Sequence, residues 1–387
     1  MYSLVPPLRC RYGAHLSKEQ VAELVAPHPD TLEVVHYWLA HHRIPLSSIS
    51  ITHGGNTLTL TGVSMAQADE LLNASYRLYR HIKTNETIVR TLGYALPAAL
   101  YGHVLTVAPT THFASSRVQE QTLGKPLSEE TAKLASRDPV VVSPGREGDL
   151  TTPAFLRWLY NTLGYTPAAT LWNKLAIVEF FGDYPSLSDL GLYMQKYRSD
   201  ATDATDATDA TDATYTFVQI IYGNLKYNPN IGRGVGQANT DIQYAQAMAY
   251  PTPFVVFSVG RGFSGTEDGH LAWLGNVLKL PRLPQTISIS YSGDEKAYTK
   301  AYTESMCNMY GQLAARGVSV ITSTGNEGVG KYCIAHDGSI RFVTNFPSTC
   351  KCGVCPRLTR VHKYGYSPLI TTPYFRRSLC HHRRRNN

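Results

Sequence analysis

No run of apolar residues in this chain of 387 approaches the roughly 18 that cross a bilayer, so no membrane partner is expected. Cysteine is scarce. Cys10, Cys307 and Cys333 are scattered through the body, and the other four, Cys350, Cys352, Cys355 and Cys380, fall at the C-terminal end. That distribution excludes a disulfide-framework fold and leaves room for one or two bridges. Charge is sparse as well, 17% against 43% hydrophobic residues, which excludes a largely disordered chain. Met1-Tyr2-Ser3-Leu4-Val5-Pro6-Pro7 lacks the basic stretch and apolar core of a secretion signal, so none is expected in the chain as it stands. Acidic residues are missing altogether from 351–387, where nine Lys and Arg collect. These nine account for the net charge of +7 and leave 27 basic against 29 acidic residues in the body, so the basic balance does not signal a nucleic-acid partner.

What the chain does have is two patterns joined by a stretch without periodicity. The first, over 15–113, reads as a small α+β unit. Ser17 is placed to cap a helix with Val21, Leu24 and Val25 on one face, and a second helix follows from Asp30 to His42. Ile49–Thr52 and Thr57–Thr61 form a hairpin around His53-Gly54-Gly55-Asn56. Met65–Leu78 is expected to be helical and Val104–Val107 to be a closing strand. Residues 114–150 collect Ser, Thr, Glu, Lys and Pro, the composition of an exposed linker.

From 151 onward apolar strands alternate with helices. Leu175–Phe181, Phe217–Ile221, Phe254–Ser258, Thr286–Ser290 and Val318–Thr322 are the expected strands, with helices over Leu187–Tyr197 and Tyr298–Ala315. Near-continuous apolar strands separated by helices imply a parallel sheet covered on both faces, with ligands bound beyond the strands' carboxyl ends. Five copies of Asp-Ala-Thr over 200–214 have no partner histidine and read as a solvated repeat loop in preference to a metal tract.

Three segments fall where such strand ends meet helices: Gly234–Tyr244, Ser288–Glu295 and Arg316–Gly330. On a helix, Gln237 and Asp241 share one face. At these residues the chain resembles the sedolisins, the serine-carboxyl peptidases that include kumamolisin and the tripeptidyl-peptidases, and above all their secreted fungal members. Tyr12–Glu19 and Ala26–Pro29 resemble the start of the family's activation pro-domain, and Pro109–Phe113 its end. Arg157–Asn161 resembles the entry to the mature enzyme, and Phe346–Cys350 the segment after the oxyanion loop. The resemblance covers roughly 12–349 and implies an α/β, subtilisin-like parallel sheet, incomplete here, preceded by a small α+β pro-domain. The implied organisation is an activation pro-domain at 12–113, a linker at 114–150, the N-terminal part of the peptidase domain at 151–349 and a non-family basic tail at 350–387.

The family's chemistry uses a serine nucleophile, a glutamate base, a second carboxylate four residues later that orients it, and an aspartate that donates to the oxyanion. It suits acid, where a histidine base would be protonated and a tuned carboxylate still accepts a proton. Carried onto this chain, Asp241 matches the orienting carboxylate. The base position is Gln237, an amide that cannot take a proton, and the oxyanion position is Asn326, whose amide donates without needing acid. The family's Gly-Thr-Ser nucleophile motif does not occur. Asp294 or Glu295 as a substitute base is the weaker alternative. Calcium is implied by the family, but its C-terminal ligand loop has no counterpart here.

The tail's Cys350, Cys352 and Cys355 with His381 and His382 suggest zinc, yet the histidines come too late and too close to a basic run for a closed site. A shifted frame or retained intron accounts better for the change in composition. Two glycosylation sequons, Asn73-Ala74-Ser75 and Asn85-Glu86-Thr87, fit a secreted lineage. The resemblance implies an extracellular protein whose partners are peptide or protein substrates and whose pro-domain meets its own peptidase domain. The chain itself is expected to be inactive. The alternative is a non-catalytic peptide- or protease-binding protein whose pro-domain inhibits.

Overall fold

The structure is a computed structural model that describes residues 13–52, 54–80, 82, 85, 87–113, 151–168, 172–201, 217–223, 236–260, 269–323 and 344–350. Ser17 Oγ accepts from the Gln20 N–H while the Gln20 side chain accepts from the Ser17 N–H, so α1 (Lys18–Val25) starts with both donors satisfied. Pro29, whose missing N–H costs nothing at a helix start, opens α2 (Pro29–His41). β1 (Ile49–Ile51) and β2 (Leu58–Leu60) pair antiparallel as the hairpin pattern requires. A second Ser–Gln box, Ser64 with Gln67, starts α3 (Met65–Leu72).

Two expectations fail in this unit. The helix from Met65 does not run to Leu78; it stops at Asn73, which takes the left-handed conformation at φ 43°. The Tyr76 N–H then donates to Asp69 Oδ1 at 2.5 Å, turning the chain into β3 (Arg77–Arg80), which pairs antiparallel with β4 (Thr87–Arg90). Val104–Val107 is not a strand: Val104 and Val107 pack as irregular chain against the core of Val35, Leu39, Ile44, Leu71, Leu72, Tyr76 and Leu100.

After α4 (Pro153–Leu159) comes the sheet. β5 (Leu175–Glu179) is followed by helix α5 (Leu187–Tyr197), β6 (Phe217–Tyr222), helix α6 (Gly236–Ala249), β7 (Phe254–Val259), helix α7 (Gly269–Lys279) and β8 (Thr286–Ile289). β9 (Gly293–Asp294), helix α8 (Lys300–Ala315), β10 (Ser319–Thr322) and β11 (Asn345–Phe346) complete the described elements. Five strands form one sheet in the order β10-β8-β5-β7-β6, every pair parallel. All five expected strands are therefore neighbours, and Thr286–Ile289 pairs directly with Ser319–Thr322.

Both faces are covered. Ala176 and Val178 point with Val255, Phe257, Ile287 and Val320 toward Trp273, Leu274 and Val277 of α7 and Met306, Tyr310 and Leu313 of α8. Ile177, one residue out of phase, faces the other layer with Val256, against Leu190 and Met194 of α5 and Ile242 and Ala247 of α6. Each fully buried aliphatic side chain contributes about 1.5–3 kcal/mol relative to exposure. The period-2 alternation of β5 also turns Glu179 to the side of Ile177, beneath α6.

Cys350 corrects the placement of the tail. It is 4% exposed, packs with Phe346 in the α7–α8 core, and is disulfide-bonded to Cys307 of α8. It thus closes the folded layer instead of opening the tail, and it is excluded as a zinc ligand. Residues 351–387, the linker 114–150 and the Asp-Ala-Thr tract beyond Ala201 lie outside the described residues.

The N-terminal unit is seated on the α7–α8 face. The Leu16 N–H donates to Ala315 O at 2.9 Å, continuing the hydrogen bonding of α8 past its end, and Lys18 Nζ donates to Lys279 O at 2.7 Å. His112 stacks on Tyr298 with ring centroids 4.2 Å apart, and its Nδ1 lies 2.8 Å from Ala297 O. Gly317 carries φ 89° where α8 turns into β10, and a Cβ there would stand 2.5 Å from His15 Cδ2. Gly317→Ala combines left-handed strain, about 1–2 kcal/mol, with displacement of the His15 ring. We expect the variant to lose that much stability and the Leu16 amide to exchange faster with solvent. Unchanged stability and unchanged Leu16 protection would contradict the close approach.

Candidate active site

The site grows from the carboxyl ends of β5 and β8 and the first turns of α6. Gln237 and Asp241 stand one turn apart, and Gln237 Nε2 donates to Asp241 Oδ1 at 2.7 Å. The spacing expectation thus holds as geometry: the two side chains share a helix face and touch. Ser290, just after β8, gives Asp241 a second hydrogen bond. These bonds favour the carboxylate, but burial outweighs them and pushes the Asp241 pKa up. Oδ2 of Asp241 is buried without a partner among the described residues.

Below Asp241 lie two acids to which the sequence pattern assigned no role. Glu179, the last residue of β5, is fully buried, and Asp183 is 5% exposed. The Tyr291 hydroxyl oxygen stands 2.8 Å from Glu179 Oε2 and 2.9 Å from Asp183 Oδ2. One phenol has one proton, so it can donate to only one of these two carboxyl groups. The other contact is satisfied when a carboxyl proton is donated back to the phenol oxygen. Burial, together with the nearby charges of Asp241 and Asp183, holds the Glu179 pKa well above the usual carboxylate range against the Tyr291 hydrogen bond. Glu179 therefore holds its proton to higher pH than an exposed carboxylic acid does. Tyr291 in turn is raised, by burial first and then by the two acids, and stays a phenol. A signal for Glu179 was present: it is the one charged residue inside the apolar run Leu175–Phe181, and a charge there has to be paired or neutralised.

Asn239, on the first turn of α6, clamps the helix to α5. Its Nδ2 donates to Asp189 Oδ2 at 2.7 Å and its Oδ1 accepts from the Ser186 N–H at 2.8 Å. Arg198, after α5, donates from Nη1 to Ala247 O and ties down the other end of α6. This fixes where Gln237 and Asp241 stand above the sheet.

Asn326 lies outside the described residues, so its place relative to Gln237 does not enter the geometry. Asp294 and Glu295 are engaged elsewhere: Asp294 accepts from the Lys296 N–H at 3.0 Å, and Glu295 Oε2 accepts from Thr344 Oγ1 at 2.7 Å. For the calcium implied by the resemblance, no three His, Cys, Asp or Glu side chains among the described residues converge as a donor set. Those residues do not fit the ion. Among the described residues no helix is long and apolar enough to cross a membrane.

Residues 2–113 match the family description "Pro-kumamolisin, activation domain". Over 367 residues the chain is 27% identical to the tripeptidyl-peptidase SED2 of Arthroderma otae, covering 90% of this chain and 59% of that one. It is also 27% identical over 358 residues to the probable tripeptidyl-peptidase SED3 of Arthroderma benhamiae, covering 88% and 56%. The chain thus spans less than two thirds of the length of these relatives. A Pseudomonas sedolisin complexed with two molecules of pseudo-iodotyrostatin aligns over 53% of this chain and 52% of its own, at 14% identity and a TM-score of 0.36, a likeness too distant to bear on function.

Proposed function

We propose that the chain, whose residues 2–113 match a pro-kumamolisin activation domain and which is 27% identical to fungal tripeptidyl-peptidases, is a secreted, acid-adapted member of the sedolisin peptidases whose proton-transfer chemistry is disabled. The observation that carries this reading is the contact of Gln237 Nε2 with Asp241 Oδ1. An amide at this position donates to Asp241 where a protonated glutamate would also donate, so the helix and its hydrogen bond survive the substitution. What is lost is basicity, since an amide cannot accept the proton of an attacking hydroxyl.

The acids around it suit acid conditions. Tyr291 can donate its single proton to only one of Glu179 and Asp183, and burial raises the Glu179 pKa. The disulfide between Cys307 and Cys350 suits an oxidising, extracellular setting. Asn326 as an oxyanion donor, Asp241 as an orienting group and a peptide as ligand belong to the same reading. A second reading, a binding protein whose pro-domain holds a related protease, draws on the seating of the N-terminal unit through Leu16 on Ala315 of α8 and His112 on Ala297 and Tyr302.

Removing a base or nucleophile typically lowers turnover by about 10⁴-fold or more. The 387-residue chain, assayed at about pH 4, where carboxylate chemistry operates, with fluorogenic endo- and tripeptidyl substrates, is expected to show no turnover above buffer. Gln237→Glu in the same chain is expected to restore none. Turnover stopped by a serine-directed phosphonate would overturn the proposal. Inactivity together with inhibition of an active sedolisin would place the binding reading first.

A further inference from the structure

We infer that Asn73 and Asn85 are acceptors of N-linked oligosaccharide, which places two glycans on the N-terminal unit. The inference rests on the secreted reading above, because the modification occurs in the secretory compartment. These are the two Asn-X-Ser/Thr sequences in the chain in which X is not proline. Both asparagines are solvent-exposed, and so are the hydroxyl residues Ser75 and Thr87 that complete the sequons. Both also have positive φ, 43° for Asn73 at the end of α3 and 59° for Asn85 between β3 and β4.

Neither asparagine's side-chain amide is tied up by a partner among the described residues. The bond that ends α3 at Asn73 is made by its backbone N–H, to Asp69 O, so derivatising the side chain leaves the cap in place. Ser75 likewise serves the fold through its backbone, its N–H donating to Thr91 Oγ1 at 3.3 Å. The chemistry needs a polyprenyl-pyrophosphate oligosaccharide as co-substrate. The Asn Nδ2 attacks the anomeric carbon, the N–C bond forms, and the C–O bond to pyrophosphate breaks. Polyprenyl pyrophosphate departs with the electron pair, and one amide proton passes to the transferase. No oxidant or reductant is involved.

The test is to express the full chain behind a cleavable secretion signal in yeast and treat the secreted product with peptide-N-glycosidase. Two mobility steps are expected to collapse. Ser75→Ala and Thr87→Ala should each remove one step and together both, while leaving the asparagines and the backbone bonds intact. Mass spectrometry of the unreduced, protease-digested sample reports whether Cys307 and Cys350 are paired, which confirms passage through the oxidising compartment independently of the glycans. A secreted, disulfide-bonded chain without any shift would overturn the inference and leave the family reading standing. Shifts that survive both substitutions would overturn it equally.

Discussion

Unfolding of this chain is expected to become easier as pH rises from about 4 toward neutrality, the reverse of a protein stabilised by paired carboxylates. The sign follows from Glu179 and Asp241, whose folded pKa values both lie above those of the unfolded chain, in each case through burial first. Below about pH 4 both states hold the protons and no penalty arises. Above that, the unfolded chain releases protons that the folded one still binds. Each group then lowers stability by up to about 1.4 kcal/mol per pH unit until its raised folded pKa is reached. Asp200 has the opposite shift, lowered first by its hydrogen bond from Arg198, so its contribution is present above about pH 4 and fades only below it. It is also largely exposed, so screening keeps that contribution small. The two windows do not overlap. Urea midpoints measured at about pH 4 and about pH 7 should favour the lower pH, and Glu179→Gln should flatten the difference. A midpoint that climbs toward neutrality would show that the acids around Tyr291 are not neutral in the fold.

Loss of the Cys307–Cys350 bridge should cost more than a typical point mutation. The bond joins residues 43 apart in sequence. Closing a loop of that size restricts the unfolded chain by about 4 kcal/mol at room temperature, with 2–4 kcal/mol the usual observed range. It also holds Cys350 beside Phe346 at the edge of the core that contains Met306 and Tyr310. The Cys307→Ala, Cys350→Ala double variant should therefore show a lower denaturant midpoint and a somewhat steeper slope, because the unbridged unfolded chain exposes more surface. Stability within about 0.5 kcal/mol of the parent, the range of ordinary surface substitutions, would mean that the segment after β11 is held by its apolar contacts alone. Chain produced in a reducing cytosol should behave like the variant.

The strands and most helices of this protein are written locally. β5, β7 and β8 are short runs of apolar, largely β-branched residues, and α1 and α5 begin at serines whose side chains accept from the turn above. Such signals need only a few neighbouring residues, so strand identity, the start of each helix and the shared face of Gln237 and Asp241 are legible in the amino-acid sequence itself. The end of α3 is legible in principle too, since Asn73 is a residue that tolerates left-handed backbone, but Ala74 and Ser75 carry the helical pattern past it.

What the sequence could not decide is which distant residues meet. Glu179 becomes a buried acid with a raised pKa because the packed layers desolvate it and α6 delivers Asp241 from 62 residues further along, an effect that the hydrogen bond from Tyr291, 112 residues along, only partly offsets. A carboxyl group's pKa is set by the dielectric and the charges around it, and those belong to the packed sheet and not to the local run of residues. The partner of Cys307 was undetermined for the same reason: seven cysteines allow many pairings, and only the approach of the segment after β11 to α8 selects Cys350. Local propensity fixed the elements, while burial and proximity, which exist only once the sheet is assembled, decided the protonation of its acids and the identity of its bridge.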